Sequence, residues 1–304
     1  MPATKSQPAA DKRTLITDDE LRQLEALGIN PAKPYPPRAL NTLRAYATWW
    51  RRWKSDGGTT KLPIPADKLG DWLEQLAAEY PKSTCGLAYQ AIRYVHGARD
   101  LPVPDCTYRI DRIRRHRTPA EPKRATGLRG THLRQIQHTD TRPEIIALIA
   151  LMRNAMLRRG EMEATQTRHL EQRPDGSGLL YIPWSKTDQR GTGARLDIAP
   201  YTMRLIAAAG LLERPAKAQL IPLTARNINA NIKAAAAKAK LPGRYTGHSP
   251  RIGMAQDLRA AGKSILEIQL AGRWRSPAMV EIYTRLEGTA ENSINDYFES
   301  NPDG

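Results

Sequence analysis

Side chains suited to phosphate chemistry stand in three short, widely separated segments of this sequence. The first is Ala155-Met156-Leu157-Arg158-Arg159-Gly160-Glu161-Met162. Arg158 and Glu161 are spaced i to i+3 there, so a helix would put them on one face, where the carboxylate can orient the guanidinium. The second is Gly247-His248-Ser249-Pro250-Arg251, with Pro250 suited to a first helical turn. Its His and Arg share a face, and that pair suits phosphate chemistry because one moves protons and the other grips oxygens. The third runs from Leu270 to Tyr283, with Trp274 nine positions before Tyr283 and a turn at Ser276-Pro277 between them. Each segment alone has a plain reading: a surface ion pair, a chance HxxR, two core aromatics. Thr284 and Arg285 next to Tyr283 are odd neighbours for a purely structural residue.

The elements that must carry these residues follow from periodicity. In the first half, apolar residues recur at helical spacing from about Pro37 to Lys54 (Leu40, Leu43, Tyr46, Ala47, Trp50, Trp53), and Gly57 and Gly58 end the run. A second helix is predicted over about Ala66 to Tyr80. A third spans Ser83 to His96 with Leu87, Ile92 and Val95 inward, and a fourth about Cys106 to Arg117. Such short amphipathic helices form a compact bundle. Thr118-Pro119-Ala120-Glu121-Pro122-Lys123-Arg124 reads as an inter-domain linker. Beyond it come helices around Thr131 to His138 and Pro143 to Asn154, the latter apolar enough to be buried. Gly178 to Trp184 and Ala194 to Ile198 read as a β-hairpin with a loose tip at Asp188 to Gly193. Everything after Pro200 reads helical, and no internal repeat is visible.

The chain has 304 residues, more than one small core usually organises. Lys and Arg number 47 against 31 acids, a net charge of +16. That excess favours a polyanion as partner, nucleic acid first and an anionic membrane second. No apolar run approaches the roughly 20 residues of a spanning helix, and the first residues are polar and Pro/Ala-rich without the apolar core of a signal peptide. Residues 1–34 are therefore expected to form a flexible arm, and no membrane partner is expected. Cys85 and Cys106 lie outside any metal-ligating spacing, which argues against a zinc site or disulfide framework and fits a reducing cytosol. No GxxxxGK[ST] stretch offers a nucleotide site, so neither metal nor cofactor is expected. Arg109, Arg112, Arg114, Arg115 and Arg117, with Lys123 and Arg124 beyond, concentrate charge at the domain junction, where phosphate contacts would hold a duplex. On the third helix Lys82, Ser83, Thr84, Tyr89, Gln90 and Arg93 offer donors toward phosphates or base edges.

Taken together and in order, the three segments resemble the tyrosine recombinase (phage integrase) family. The likeness is strongest over Gly247 to Tyr283 and includes Ser264-Ile265-Leu266-Glu267-Ile268 and Ala271-Gly272-Arg273-Trp274. It extends more weakly over the helical half, from about Pro36. The resemblance implies a mainly α fold with a small antiparallel β-sheet, in two domains that form a C-shaped DNA clamp. Residues 35–117 would be a helical core-binding domain and 118–124 the linker. Residues 125–304 would be the catalytic domain, with an oligomerisation helix at about 290–300. It assigns Arg158, Glu161, His248, Arg251 and Trp274 to the active site, Tyr283 as nucleophile, and Lys186 as the hairpin lysine. Met156 departs from the Gly, and Gly160 from the small or apolar residue, usual at those positions.

The implied activity is site-specific recombination through a 3′-phosphotyrosyl intermediate and a Holliday junction. A homotetramer would act on two double-stranded DNA sites built from inverted repeats. A topoisomerase or resolvase with the same chemistry, and a non-catalytic DNA-binding regulator, are the alternatives. In that chemistry nearby guanidinium charges favour the phenolate and neutralise the non-bridging oxygens. Lys186 would protonate the leaving 5′ oxygen, His248 would move protons, and Trp274 would donate its indole N–H.

Overall fold

The computed structural model describes residues 40–116, 124–183 and 193–284 of the chain. The expected arm, the hairpin tip up to Thr192, the C-terminal helix, and Arg117, Lys123 and Lys186 all lie outside them. Two compact units divide the chain at Pro122 and Lys123.

The first unit is helical. α1 (Leu40–Ser55) turns Tyr46, Ala47, Trp50 and Trp53 into its core, the one-sided stripe its spacing predicts. Gly57, at φ +82°, ends that run in a conformation glycine takes freely. α2 (Ala66–Glu79) buries Leu69, Trp72, Leu73 and Leu76, and the Trp53 and Trp72 rings meet edge-on at 5.2 Å. Both indoles satisfy their N–H groups, Trp53 on the Thr59 carbonyl at 2.8 Å and Trp72 on Asp56 Oδ2 at 2.9 Å. α3 (Lys82–Gly97) packs mainly on α1, and α4 (Thr107–His116) sets Ile110 and Ile113 against the same core.

The buried face of α3 runs through Cys85, Ala88, Tyr89, Ile92, Val95 and His96. Two expectations change there. Leu87 is 36% exposed rather than inward, because it falls two positions from both Cys85 and Tyr89, about 200° around the helix from each. Tyr89 is a core residue. Its hydroxyl donates to the Pro104 carbonyl and accepts from the Cys106 N–H, both at 3.0 Å, so it has no donor to spare for DNA. Lys82, Ser83 and Arg93 are exposed on the other face and Thr84 is half-buried. Arg112 and Arg115 are exposed on α4, but Arg112 is already ion-paired with Glu74 and its neighbour Arg109 with Asp71.

In the second unit α5 (Gly130–Gln137) leads to α6 (Pro143–Asn154), which is buried on nearly all sides and starts with Pro143 in its first turn. α7 (Arg159–Ala164) follows after a tight turn at Met156. The sheet is antiparallel in the order β1-β2-β3: β1 (Leu170–Gln172), β2 (Gly178–Ile182) and β3 (Ala194–Ile198). β2 and β3 are the expected hairpin, and β1 is an additional edge strand. Leu180 pairs with Leu196, and Leu180, Ile182 and Ile198 point into the core beneath α6. α8 (Pro200–Ala208) and α9 (Ala225–Lys238) complete this layer. α10 (Ser249–Ala260), α11 (Ile265–Gly272) and α12 (Pro277–Thr284) then pack on one another around a small cluster of Met156, Ala255, Ile268 and Val280.

α10 is tied firmly to the rest. Gly253 lies so close to the Leu128 carbonyl that a Cβ would collide with backbone. One turn on, Asp257 accepts from the Gly130 N–H at 2.8 Å, from Arg129 Nε at 2.8 Å and from the buried Arg153 at 2.6 Å. That carboxylate satisfies the start of α5 and the end of α6 at once, so the helix bearing Arg251 has little freedom to slide. Among the described residues no helix is long and apolar enough to cross a membrane.

Candidate active site

Arg158 is the residue before α7, and Glu161 is the third residue of the helix. Glu161 Oε2 reaches back to the Arg158 N–H at 2.9 Å, as a capping glutamate does, while Oε1 holds the Arg158 guanidinium at 2.7 Å. The Arg158 backbone can enter this way because Met156 takes a left-handed conformation, φ +46°. The turn expected to need Gly is thus made by Met156 itself, whose side chain is buried among Ala255, Ile268 and Val280. Gly160 faces open space.

His248 is the residue before α10, and Arg251 lies in the first turn of that helix, fully buried. The Arg251 guanidinium donates to the carbonyls of Met156 and Gly272 and lies 4.3 Å from the Trp274 ring centre. Gly272 is required: a Cβ there would strike the Trp274 ring. Trp274 and His248 flank Tyr283, with ring centres 5.8 and 5.6 Å from the phenol ring. His248 Nε2 is 3.1 Å from the Tyr283 hydroxyl. Tyr283 sits in the last turn of α12, and its carbonyl accepts from Gln256 Nε2 of α10 at 3.2 Å.

Arg158, Glu161, His248, Arg251, Trp274 and Tyr283 therefore converge from three distant stretches of chain. Arg124, expected in the linker as a DNA contact, lies beside them and donates to the Ile282 carbonyl at 3.5 Å. Arg273 was legible only as part of a motif. In the structure it donates to Glu161 Oε2 at 2.7 Å and to the Ala155 carbonyl at 3.0 Å.

The charges order these groups. Burial pulls His248 down to about 4, helped by Arg251, Arg158 and Arg159, so its imidazole is neutral at physiological pH. Burial also lowers Arg251, to about 9, which leaves it charged. Glu161 is pushed up by burial, but Arg273 and Arg158 outweigh this and hold it ionised. Tyr283 departs from the expectation of a favoured phenolate. Burial raises it, and the opposing charges of Arg251, Arg124 and Arg158 do not compensate. The resting pair is a neutral phenol against a neutral imidazole, in which Nε2 can accept the proton as the oxygen attacks.

The lowered His248 carries a stability consequence. As pH falls, the unfolded chain binds the proton first, at about 6.5. The contribution is complete above that and is lost on descending to about 4, where folded His248 also protonates. The loss is on the order of 3 kcal/mol. Urea unfolding at pH 7 and pH 5 should show a drop that His248→Gln reduces. Burial lowers His132 and His169 as well, so a residual slope survives. A drop unchanged in the variant would contradict a buried neutral imidazole.

No protein-family model matches the chain. It is 23% identical over 314 residues to the Cre recombinase of Escherichia phage P1, covering 88% of this chain and 90% of that protein. Among solved structures it is similar to the XerH site-specific recombinase bound to a palindromic difH substrate, with a TM-score of 0.65, 14% identity and coverage of 86% and 80%. The Tn1549 transposon integrase bound to transposon right-end DNA gives a TM-score of 0.65 at 12% identity, with coverage of 92% and 97%. A lambda integrase dimer bound to a COC′ core site gives 0.59 at 15% identity, with coverage of 86% and 75%. The chain is thus similar in sequence to the Cre recombinase over most of its length, and it shares the fold of these recombinases and integrases.

Proposed function

We propose that this chain is a site-specific DNA recombinase that cuts and rejoins strands through Tyr283. The observation that carries the reading is the 3.1 Å approach of His248 Nε2 to the Tyr283 hydroxyl, beside the guanidiniums of Arg158, which pairs with Glu161, and the buried Arg251. The phenol oxygen attacks the phosphorus and passes its proton to His248. The bond to the 5′ oxygen breaks, and Lys186 gives that oxygen its proton. Arg158 and Arg251 neutralise the non-bridging oxygens with planar donors that are charged at neutral pH, and Trp274 adds an N–H. The 3′-phosphotyrosyl link keeps the bond energy for religation, so strand exchange needs no nucleotide.

The net charge of +16 and the exposed Lys82, Ser83, Arg93 and Arg115 support a first unit that binds duplex DNA. Residues 35–117 would form that DNA-binding domain, 118–124 the linker, carrying Arg117, Lys123 and Arg124 at or beside it, and 125–304 the catalytic domain. The assembly is read as a homotetramer on two inverted-repeat sites, passing through a Holliday junction. Residues 290–300 of each copy would dock on a neighbour, the apolar residues Ile294, Tyr297 and Phe298 in that sequence supporting this.

The test is covalent trapping on nicked duplex carrying its recognition site, taken from inverted repeats flanking the gene. A labelled adduct mapping to the peptide that contains Tyr283 is expected. No adduct on any such site would end the recombinase reading. Lys186→Ala should slow single-turnover cleavage about 10²-fold with DNA affinity within a few-fold. A leaving group that needs no proton, such as a 5′-bridging phosphorothiolate, should restore the rate. Equal loss of cleavage and binding would make the lysine merely electrostatic.

A further inference from the structure

Arg273 follows α11 in a left-handed conformation, φ +54° and ψ +43°, which glycine adopts freely and a side-chain-bearing residue does not. An arginine kept there needs a reason, and its contacts supply one. The backbone turn points the side chain back into the pocket, where one Nη donates to Glu161 Oε2 at 2.7 Å and the other to the Ala155 carbonyl at 3.0 Å. Its own carbonyl accepts from Arg158 Nη2 at 3.4 Å. Glu161 is 3% exposed and is shared between Arg158 and Arg273.

We propose that Arg273 is a positioning residue for the cleavage reaction: it holds and neutralises Glu161, so that Arg158 keeps its place and its charge for the phosphate. This rests on the recombinase reading and deepens it.

The charge balance explains why such a residue is useful. Charge grows on the phosphate oxygens as the phenol oxygen attacks, and the pocket must answer with positive charge. With Arg158, Arg251 and Glu161 alone, the carboxylate would cancel one guanidinium. Arg273 restores it, leaving three guanidiniums against one carboxylate. Burial pushes Glu161 toward its neutral form, and the charge of Arg273 is the largest single influence against it, joined by the hydrogen bonds and charge of Arg158. Without Arg273 the Glu161 pKa would move up, and the carboxylate would lean on Arg158 alone for its counter-charge.

The experiment compares single-turnover cleavage by full-length wild type, Arg273→Gly, Arg273→Asn and Arg273→Lys at saturating DNA, from pH 5 to 8. Gly and Asn both tolerate the left-handed backbone, so one serves if the other folds poorly. Removing the guanidinium should slow cleavage about 10- to 100-fold at pH 7, with DNA Kd within about 3-fold. It should also add an acid limb that the wild type lacks over this range, as the carboxylate titrates at a higher pH than in the wild type. Arg273→Lys should recover most of the rate and lose the limb. Wild-type cleavage with unaltered Arg273→Gly and Arg273→Asn rates overturns the proposal. So does a slow, pH-independent loss that Lys does not rescue, which is the pattern of a structural role. Absence of any wild-type adduct would instead defeat the recombinase reading on which it stands.

Discussion

Tyr283→Phe forms no covalent complex with nicked DNA and binds that DNA as tightly as wild type. The substitution removes one oxygen and keeps the ring that packs between His248 and Trp274. The His248 Nε2 loses its hydroxyl partner, at a cost of about 1 kcal/mol to the folded state. Arg158, Arg251 and the DNA-facing charges are untouched, so affinity has no reason to change. Cleavage, by contrast, loses its nucleophile. The rate should fall by at least about four orders of magnitude, since the phenol oxygen is the group placed to form the phosphoryl link. Mobility shift and denaturing gel separate the two readouts on one sample. A trapped adduct with the variant would mean that another side chain attacks.

Glu161→Ala is expected to be the most damaging substitution for stability within the site. The carboxylate is nearly inaccessible and accepts from the Arg158 N–H, the Arg158 guanidinium and Arg273. Its removal leaves two partly buried guanidiniums facing each other without a counter-charge, which costs about 3–5 kcal/mol. Glu161→Gln keeps the shape and one acceptor oxygen and should cost less. Because Glu161 is held below its ordinary range, its contribution is full above about pH 4.5 and is lost as pH falls through the lowered value. Denaturant midpoints of the two variants at pH 7 check this. An Ala variant as stable as wild type would show that Arg158 and Arg273 find other partners.

The parts of this molecule legible in its sequence are those fixed by local chemistry. α6 keeps the predicted bounds, Pro143 to Asn154, because a proline starts it and an unbroken apolar run continues it. The β2–β3 hairpin is legible from its β-branched and aromatic runs around a Gly-containing turn. β1 is not, since Leu170-Glu171-Gln172 has neither length nor alternation and exists only by pairing with β2. Arg158, Glu161, His248, Arg251, Trp274 and Tyr283 stood out by type and order, although only the fold brings them together.

Three placements depended on partners far away in the chain. Tyr89 reads as a surface donor until Pro104 and Cys106 take its hydroxyl. Arg124 reads as a linker charge until α12 arrives beside it. Arg273 reaches Glu161 across 112 positions of sequence. The available signal was a side-chain-bearing residue directly after Gly272, where a helix commonly ends in a left-handed turn. The phenol was expected to lean toward its ionised form, and burial reverses that because desolvation outweighs three nearby positive charges.

The Arg158–Glu161–Arg273 pairs are shielded from solvent, whereas the cations that would meet the duplex stand in it. Ionic strength should therefore act on the two very differently. Mobile ions screen exposed charges over about 10 Å at 0.1 M, and each released counterion weakens the DNA complex further. The buried pairs feel little of this. Rising salt would strip the protein from DNA while the pocket kept its geometry, so a purification at high salt should return an enzyme that is DNA-free and still preassembled.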